Sequence, residues 1–143
     1  MEQILVPIDF SPDSEKALLV AAKEAKLRDA KVVLLHVIEN IAAQDLELYP
    51  AIITEDDSGR EIRAKERLEQ IATRLFAGID CQIMLRRSML SVYTEIVAVE
   101  SELPISLVVI SAHSRNFFEK LFLESTSNKV VNASKCPVLV VPV

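Results

Sequence analysis

The sequence predicts an α/β fold in which strands and helices alternate along one domain. Short apolar runs rich in β-branched residues recur through the 143 residues, and segments with helical spacing of apolar positions separate them. Apolar runs without polar alternation are typical of strands covered on both faces, as in a parallel sheet. Right-handed crossovers turn a β-α-β-α-β-α-β-α-β pattern into a doubly wound sheet. We therefore predict a single domain over residues 1–143, with five parallel strands and four helices.

The first half of the chain supplies two strands and two helices. Residues 4–8 form a continuous apolar run and predict a buried strand, and residues 12–27 follow with small apolar residues on one helical face. Residues 31–37 are the second apolar run. Residues 39–57 show no clean period and are expected to be a long irregular connection. Residues 58–76 regain helical spacing, with charged residues on the opposite face.

The second half of the chain supplies three strands and two helices. Residues 81–86 alternate apolar and polar, which favours a half-exposed strand at a sheet edge. Helices are predicted over residues 91–100 and 125–133, because apolar residues there recur at helical spacing. Residues 106–111 and 137–143 are continuous apolar runs and predict the last two strands. The loop after residue 111 leaves a buried parallel strand and ends at a helix, which is where α/β sheets usually bind ligands.

Composition excludes several classes of protein. The net charge of −5, without a basic block, argues against nucleic acid as a partner. No apolar run is long enough to span a bilayer, and no basic region precedes the first strand as in a signal peptide. Cys81 and Cys136 are too few for a disulfide framework and lack zinc-ligand spacing, so no metal site is predicted. We expect a cytoplasmic protein that does not contact a membrane.

Four segments in the same order resemble the universal stress protein family. They are Ile-Leu-Val-Pro-Ile-Asp at residues 4–9, Leu-Leu-His-Val at 34–37, Val-Ile-Ser-Ala-His-Ser-Arg at 109–115 and Cys-Pro-Val-Leu-Val-Val at 136–141. The resemblance extends over the whole chain. It implies the strand order 3-2-1-4-5 and an adenine nucleotide alpha hydrolase-like fold. In that order, Asp9 and the loop after the fourth strand meet at the topological switch point.

The resemblance also implies where a nucleotide would bind and why this chain departs from the pattern. Many members bind ATP through three spaced glycines, which align here with Ser111, Ser114 and Glu124, and Ser125 alone keeps the family residue. A further glycine that members often carry aligns with Ser88. The candidate nucleotide-site residues are therefore Asp9, Val37, Ser111, Ser114, Arg115 and Ser125.

The substitutions predict that ATP binds poorly. Glycine lets backbone N–H groups approach phosphates, whereas serine adds a Cβ atom. A like charge ~4 Å from another costs about 1 kcal/mol in water and about 4 kcal/mol near a protein surface. Glu124 would set such a charge beside a polyphosphate. We therefore expect no ATP cofactor, as in family members that lack these glycines.

Each candidate residue also has a structural interpretation. Asp9 would brace the turn before the first helix, and we favour that role over ligand binding. His113 has no Cys or second His nearby in sequence, so neither a metal site nor a catalytic pair is indicated. A phosphoacceptor receiver domain needs an aspartate after the third strand, and the sequence has Ser88 there. No nucleophile elbow is visible, so no catalytic residue is predicted.

Two functional hypotheses follow. The first is a non-catalytic stress protein that forms a homodimer through its last strand and acts through an unidentified protein partner. Val138, Leu139, Val140 and Val141 would form an apolar edge that a second copy covers. The second is a regulatory protein that retains weak binding of ATP, ADP or AMP. Calorimetry with these nucleotides distinguishes the two.

Overall fold

Strands and helices alternate in the computed structural model, which describes residues 1–39, 57–88, 91–112 and 126–142. The strands are β1 (Gln3–Pro7), β2 (Lys31–Glu39), β3 (Cys81–Ser88), β4 (Ile105–Ser111) and β5 (Val138–Val141). The helices are α1 (Pro12–Arg28), α2 (Asp57–Leu75), α3 (Val92–Glu102) and α4 (Thr126–Ala133). The predicted alternation is confirmed within these residues. Most of the expected irregular connection, residues 40–56, lies outside them.

The described strands form one parallel sheet in the order β3-β2-β1-β4-β5. This is the order that the family resemblance implies. In the register of β1 with β2, Pro7 lies opposite Leu35, and Leu5 lies opposite Val108 of β4. The chain reverses its direction of winding between β1 and β4. The carboxyl ends of these two strands therefore flank the switch point at which doubly wound sheets bind ligands.

Helices cover both faces of the sheet. Helices α1 and α2 pack on one face around Ile4, Val6 and Leu34. Helices α3 and α4 pack on the other face around Leu5 and Val33. All five of these strand residues are fully buried. The continuous apolar runs of the central strands are thus explained, because neighbouring residues point into two different cores.

Strand β5 departs from this pattern. Val138 and Val141 pack against the cores on opposite faces, but Leu139 is 36% exposed and Val140 is 39% exposed. The sequence predicts an apolar edge here, and the exposed Leu139 and Val140 lie on that edge, while its coverage by a second copy stays a prediction. The exposure follows from position: β5 is an edge strand whose described partner is β4 alone.

The opposite edge strand, β3, carries charges that tie it to both helical layers. Arg86 forms an ion pair with Glu102 at the end of α3, and Arg87 forms one with Glu61 of α2. Since consecutive strand residues point to opposite faces, the two pairs clamp β3 from both sides. The sequence prediction of a half-exposed edge strand is confirmed, because most of β3 is half-buried.

The start of α1 is held by the side chains of Asp9 and Ser14 and not by a side-chain cap from Ser11. Pro12 occupies the first turn and Ser11 sits at the N-cap, but the Ser11 side chain makes no capping hydrogen bond. The Ser11 backbone N–H instead donates to Asp9 Oδ1 at 3.0 Å, and Ser14 Oγ donates to the Ser11 carbonyl at 2.7 Å. The turn between β1 and α1 is therefore held by Asp9.

Among the described helices, none is long and apolar enough to cross a membrane.

Candidate functional site

The candidate site lies at the carboxyl edge of the sheet, where β1, β2 and β4 end. Asp9 follows β1, Val37 lies near the end of β2, and Ser111 is the last residue of β4. Val37 is two residues beyond Leu35, the partner of Pro7, so it is level with Asp9 across the sheet. The structure thus brings three predicted site residues to one edge. The other three, Ser114, Arg115 and Ser125, lie outside the described residues, as do His113 and Glu124.

Asp9 has a structural role that is visible in its contacts. Its carboxylate is exposed to solvent, and one oxygen accepts the hydrogen bond from the Ser11 N–H. This is an Asx-type turn, in which an aspartate side chain replaces a backbone acceptor two residues before the N–H it binds. The interpretation of Asp9 as a brace for the turn is therefore supported by geometry. The exposed carboxylate also faces outward from the carboxyl edge of β1.

Val37 and Ser111 differ in what they present at this edge. The side chain of Val37 is only 8% exposed and packs in the core beneath α3 and α4. A ligand at this edge would therefore meet the Val37 backbone more than its side chain. Ser111 is half-buried, and the next residue, Ala112, donates its N–H to the Val141 carbonyl at 2.8 Å.

The backbone of Ser111 does not require glycine for its own conformation. Within the described chain, a positive φ occurs at Phe10, Asp29 and Gly78, and Ser111 is not among them. A glycine at this position in relatives would thus serve close approach of a ligand, not a left-handed turn. Ser88, at the other glycine position, is buried and donates its Oγ to the Ser91 carbonyl at 3.1 Å.

Sequence reasoning missed a stack of three side chains beside Asp9. The ring of Phe10 lies 4.3 Å from the His36 ring, centroid to centroid. The Arg67 guanidinium lies over the same Phe10 ring, with its central carbon 4.2 Å from the centroid. Phe10 itself has φ 63°, a left-handed conformation that is costly for a bulky residue. We call these three residues the Phe10 stack.

His36 anchors the Phe10 stack to the sheet. Its Nδ1 lies 2.8 Å from the carbonyl oxygen of Ile8, and since a carbonyl only accepts, Nδ1 carries the proton. Burial lowers the pKa of His36, so the ring is neutral near pH 7, and the Ile8 carbonyl and Asp9 offset this only partly. His36 is therefore a half-buried histidine whose Nδ1 has a hydrogen-bond partner.

No local signal in the sequence joins Arg67 to Phe10. The two residues are 57 positions apart, and Arg67 belongs to the charged face of α2 that the helical pattern assigns to solvent. Only the packing of α2 beside α1 brings the guanidinium over the ring. The contact therefore joins α2 to the turn before α1, and the sequence around either residue does not reveal it.

A cleft of about 360 Å³ opens beside the Phe10 stack, between α1 and α2. Its two arginines already have partners: Arg67 covers the Phe10 ring, and Arg74 donates to Glu15 Oε1 at 2.8 Å. The cleft is lined by Phe10, Ser11, Pro12, Ser14, Glu15, Leu18, Arg67, Gln70, Ile71 and Arg74. Because both arginines in this lining already have partners, the cleft offers no free cation to a phosphate.

The described parts of the chain contain no cluster of three or more His, Cys, Asp or Glu residues that would hold a metal ion. Cys81 and Cys136 are both unpaired thiols. Cys136 Sγ donates to Glu100 Oε1 at 3.0 Å, and burial together with this carboxylate raises the pKa of Cys136 to about 12. A thiol in this state stays protonated at neutral pH and is a poor nucleophile.

The fold and the position of this edge define a doubly wound α/β protein with a polar switch point between β1 and β4. Residues 1–142 match the sequence profile described as the universal stress protein family. The chain therefore belongs to the universal stress protein family.

Comparison with individual proteins agrees with this assignment. The chain is 29% identical over 141 residues to universal stress protein A homolog 2 of Coxiella burnetii, covering 98% of this chain and 94% of that protein. The structure of hypothetical protein MJ0577 is similar, with 25% identity, a TM-score of 0.78, and coverage of 99% and 96% of the two chains. A universal stress protein of Archaeoglobus fulgidus, solved in complex with dAMP, has the same fold at 22% identity, a TM-score of 0.68, and coverage of 98% and 97%.

Proposed function

We propose that this universal stress protein is a non-catalytic homodimer that assembles through β5 and acts through a protein partner, without ATP as a cofactor. The observation that carries the proposal is the exposure of two apolar side chains of β5, Leu139 and Val140. These residues point to opposite faces of an edge strand, and each leaves more than a third of its surface in solvent. An apolar edge strand invites pairing with another chain unless it is covered.

A second copy of the chain would cover this edge by pairing its own β5 with it. Pairing of β5 with the same strand across a two-fold axis would continue the sheet and bury Leu139 and Val140 on both faces. Burying a valine or leucine fully is worth about 1.5–3 kcal/mol, so the exposed third of each corresponds to roughly 0.5–1 kcal/mol. With two such residues in each protomer, the apolar contribution is roughly 2–4 kcal/mol per dimer, before the strand hydrogen bonds are counted.

The non-catalytic part of the proposal draws on the described side chains. His36 is neutral and bonded to the Ile8 carbonyl, and Cys136 is protonated beside Glu100. Neither arrangement supplies an activated nucleophile with an adjacent base. The expectation that ATP is not a cofactor draws on Ser111, Ser114 and Glu124, which stand where ATP-binding relatives keep glycine.

Sedimentation equilibrium at micromolar concentration tests the dimer. We expect a dimer for the wild-type chain and a shift toward monomer for Val140→Lys, which places a charge on the edge. Val131→Lys is the matched control, because Val131 is 47% exposed but lies on α4 and not on β5. A wild-type chain that sediments only as a monomer would rule out the proposal.

A second candidate function is weak nucleotide binding. The observation that favours it is the meeting of Asp9, Val37 and Ser111 at one edge of the sheet, in a fold that binds dAMP in the Archaeoglobus fulgidus protein. Titration calorimetry with ATP, ADP and AMP separates the candidates, and absence of heat at millimolar ligand would remove this one. If the site is only obstructed, replacing Ser111, Ser114 and Glu124 together by glycine should raise ATP affinity.

A further inference from the structure

The outward face of α1 carries apolar residues as well as lysines. The inward face packs on the sheet through small and apolar side chains, with Ala17, Ala21 and Ala25 almost fully buried. On the opposite side, six residues recur at spacings of three and four and form one strip. We call this strip the α1 outer stripe; it consists of Lys16, Leu19, Val20, Lys23, Lys26 and Leu27, and Val20 at its border is half-buried and packs partly on the core.

The apolar part of the stripe is continuous. Leu19, Lys23 and Leu27 are four residues apart and therefore form one ridge along the helix. Leu19 is 55% exposed and Leu27 is 72% exposed, and the methylene stem of Lys23 lies between them in the ridge. Single exposed leucines are ordinary on protein surfaces. Two on one ridge, on a helix that already buries its other face, form a contact surface.

The stripe carries a net positive charge, because three of its six residues are lysines and none is acidic. Three and four residues on either side of Lys23, the helix presents Leu19, Val20, Lys26 and Leu27, none of them acidic. Like charges at this spacing destabilise a helix slightly. Within the described residues, the stripe lysines take part in no ion pair.

Two of the acids that flank the stripe are already paired. Glu15 binds Arg74 at 2.8 Å, and Glu24 binds Arg28 at 3.0 Å. Because these two carboxylates already bind arginines, they do not neutralise the lysines of the stripe. In a protein with a net charge of −5, three lysines thus lie together around two exposed leucines without an ion pair to any described residue.

We propose that the α1 outer stripe binds an acidic amphipathic helix of a partner protein. The inference rests on the proposed action through protein partners, and it names the surface and the chemistry of the partner. An apolar seam on such a helix would pack on the Leu19–Lys23–Leu27 ridge, while its carboxylates pair with the three lysines. Charge complementarity of this kind favours encounter and fixes orientation.

Two other occupants fit the charges less well. An anionic membrane is flat and would meet the acidic body around the stripe as well as the stripe itself, within about one Debye length. A second copy that docked its own stripe across a two-fold axis would oppose lysines with lysines. A separate acidic helix is narrow enough to meet the stripe alone.

The test uses a synthetic helical peptide of about four turns, with a leucine seam flanked by glutamates, and follows its fluorescence anisotropy. We expect saturable binding to the full-length wild-type chain that weakens when salt rises from about 0.05 to about 0.3 M. Lys23→Glu should weaken binding about fivefold, and Leu27→Gln by a similar factor. Lys65→Glu is the matched control, since Lys65 is also exposed but lies on α2, and it should leave affinity unchanged.

Several results would overturn the inference. One is equal affinity of Lys23→Glu and Lys65→Glu, and another is equal binding of a peptide whose glutamates are replaced by glutamine. Binding to phosphatidylglycerol vesicles without binding to the peptide would assign the stripe to a membrane instead. Sedimentation separates this inference from the proposed function. If the protein is a β5 dimer that does not bind the peptide, only the assignment of the α1 outer stripe as a binding surface is refuted. If the protein is a monomer that binds the peptide, only the proposed dimer is refuted.

Discussion

The Phe10 stack predicts a measurable energetic coupling between Phe10 and Arg67. The perturbations are Phe10→Leu and Arg67→Gln, alone and together. Phe10→Leu removes the aromatic ring but keeps a Cβ-bearing residue at the same left-handed position, so the backbone cost largely cancels between wild type and variant. Arg67→Gln removes the cation and keeps a polar side chain on the helix surface.

The size of the coupling follows from the geometry. A guanidinium 4.2 Å from the centroid of a ring, at an exposed site, is worth about 0.5–1 kcal/mol. The long hydrogen bond from Arg67 to the Phe10 carbonyl, at 3.5 Å, adds little. We therefore expect the double variant to be about 0.5–1 kcal/mol more stable than the sum of the single changes predicts.

Urea denaturation of the four proteins at pH 7 measures this coupling as the difference in free energy of unfolding. The control cycle pairs Phe10→Leu with Arg74→Gln. Arg74 lies on the same helix and lines the same cleft, but it binds Glu15. That cycle should be additive. If the Arg67 cycle is also additive within about 0.3 kcal/mol, the stack does not hold the turn.

Three further predictions concern stability and thiol chemistry. Because the pKa of His36 is lowered in the folded state, the unfolded chain takes up the proton first as pH falls below about 6.5, and stability should drop with acid; His36→Asn should flatten this dependence between pH 7.5 and 5.5 in urea melts, and an unchanged slope would contradict it. Leu68→Ala should cost about 2–5 kcal/mol because Leu68 is fully buried, whereas Ile62→Ala, at 58% exposure on the same helix, should cost under about 0.5 kcal/mol. With a pKa of about 12, Cys136 should react with iodoacetamide at pH 8 on the order of a hundredfold more slowly in the folded than in the unfolded chain, and Glu100→Gln should speed the folded reaction; equal rates in the two states would contradict the assigned burial.

The apolar runs made the sheet predictable. Continuous runs such as residues 106–111 are typical of strands buried on both faces, and the alternation at residues 81–86 favoured an edge position for β3. Boundaries shifted by one or two residues, since the ends of strands and helices depend on backbone pairing more than on side-chain type. The strand order came from the family resemblance, because no local pattern says which strands become neighbours.

The candidate site was less predictable than the fold. Asp9 could be placed at the end of β1 from its position alone, and its role as a turn brace followed from general turn chemistry. Arg67 could not be placed, since it lies on α2 and its contact, Phe10, lies in the turn before α1, far away in the sequence. The burial of Val37 was likewise decided by tertiary packing beneath α3 and α4. Ser114, Arg115 and Ser125 stay predictions.

The charges on β3 make the two borders of the sheet unequal. With Arg86 and Arg87 each drawn to a different helical layer, a strand approaching that border would have to displace two ion pairs before it gained its own hydrogen bonds. The border at β5 presents no comparable obstacle in the described chain. Growth of the sheet between copies is therefore expected at β5 alone. In the proposed β5 dimer both outer borders would be β3 strands, so the arrangement would limit pairing to two copies and work against fibre formation.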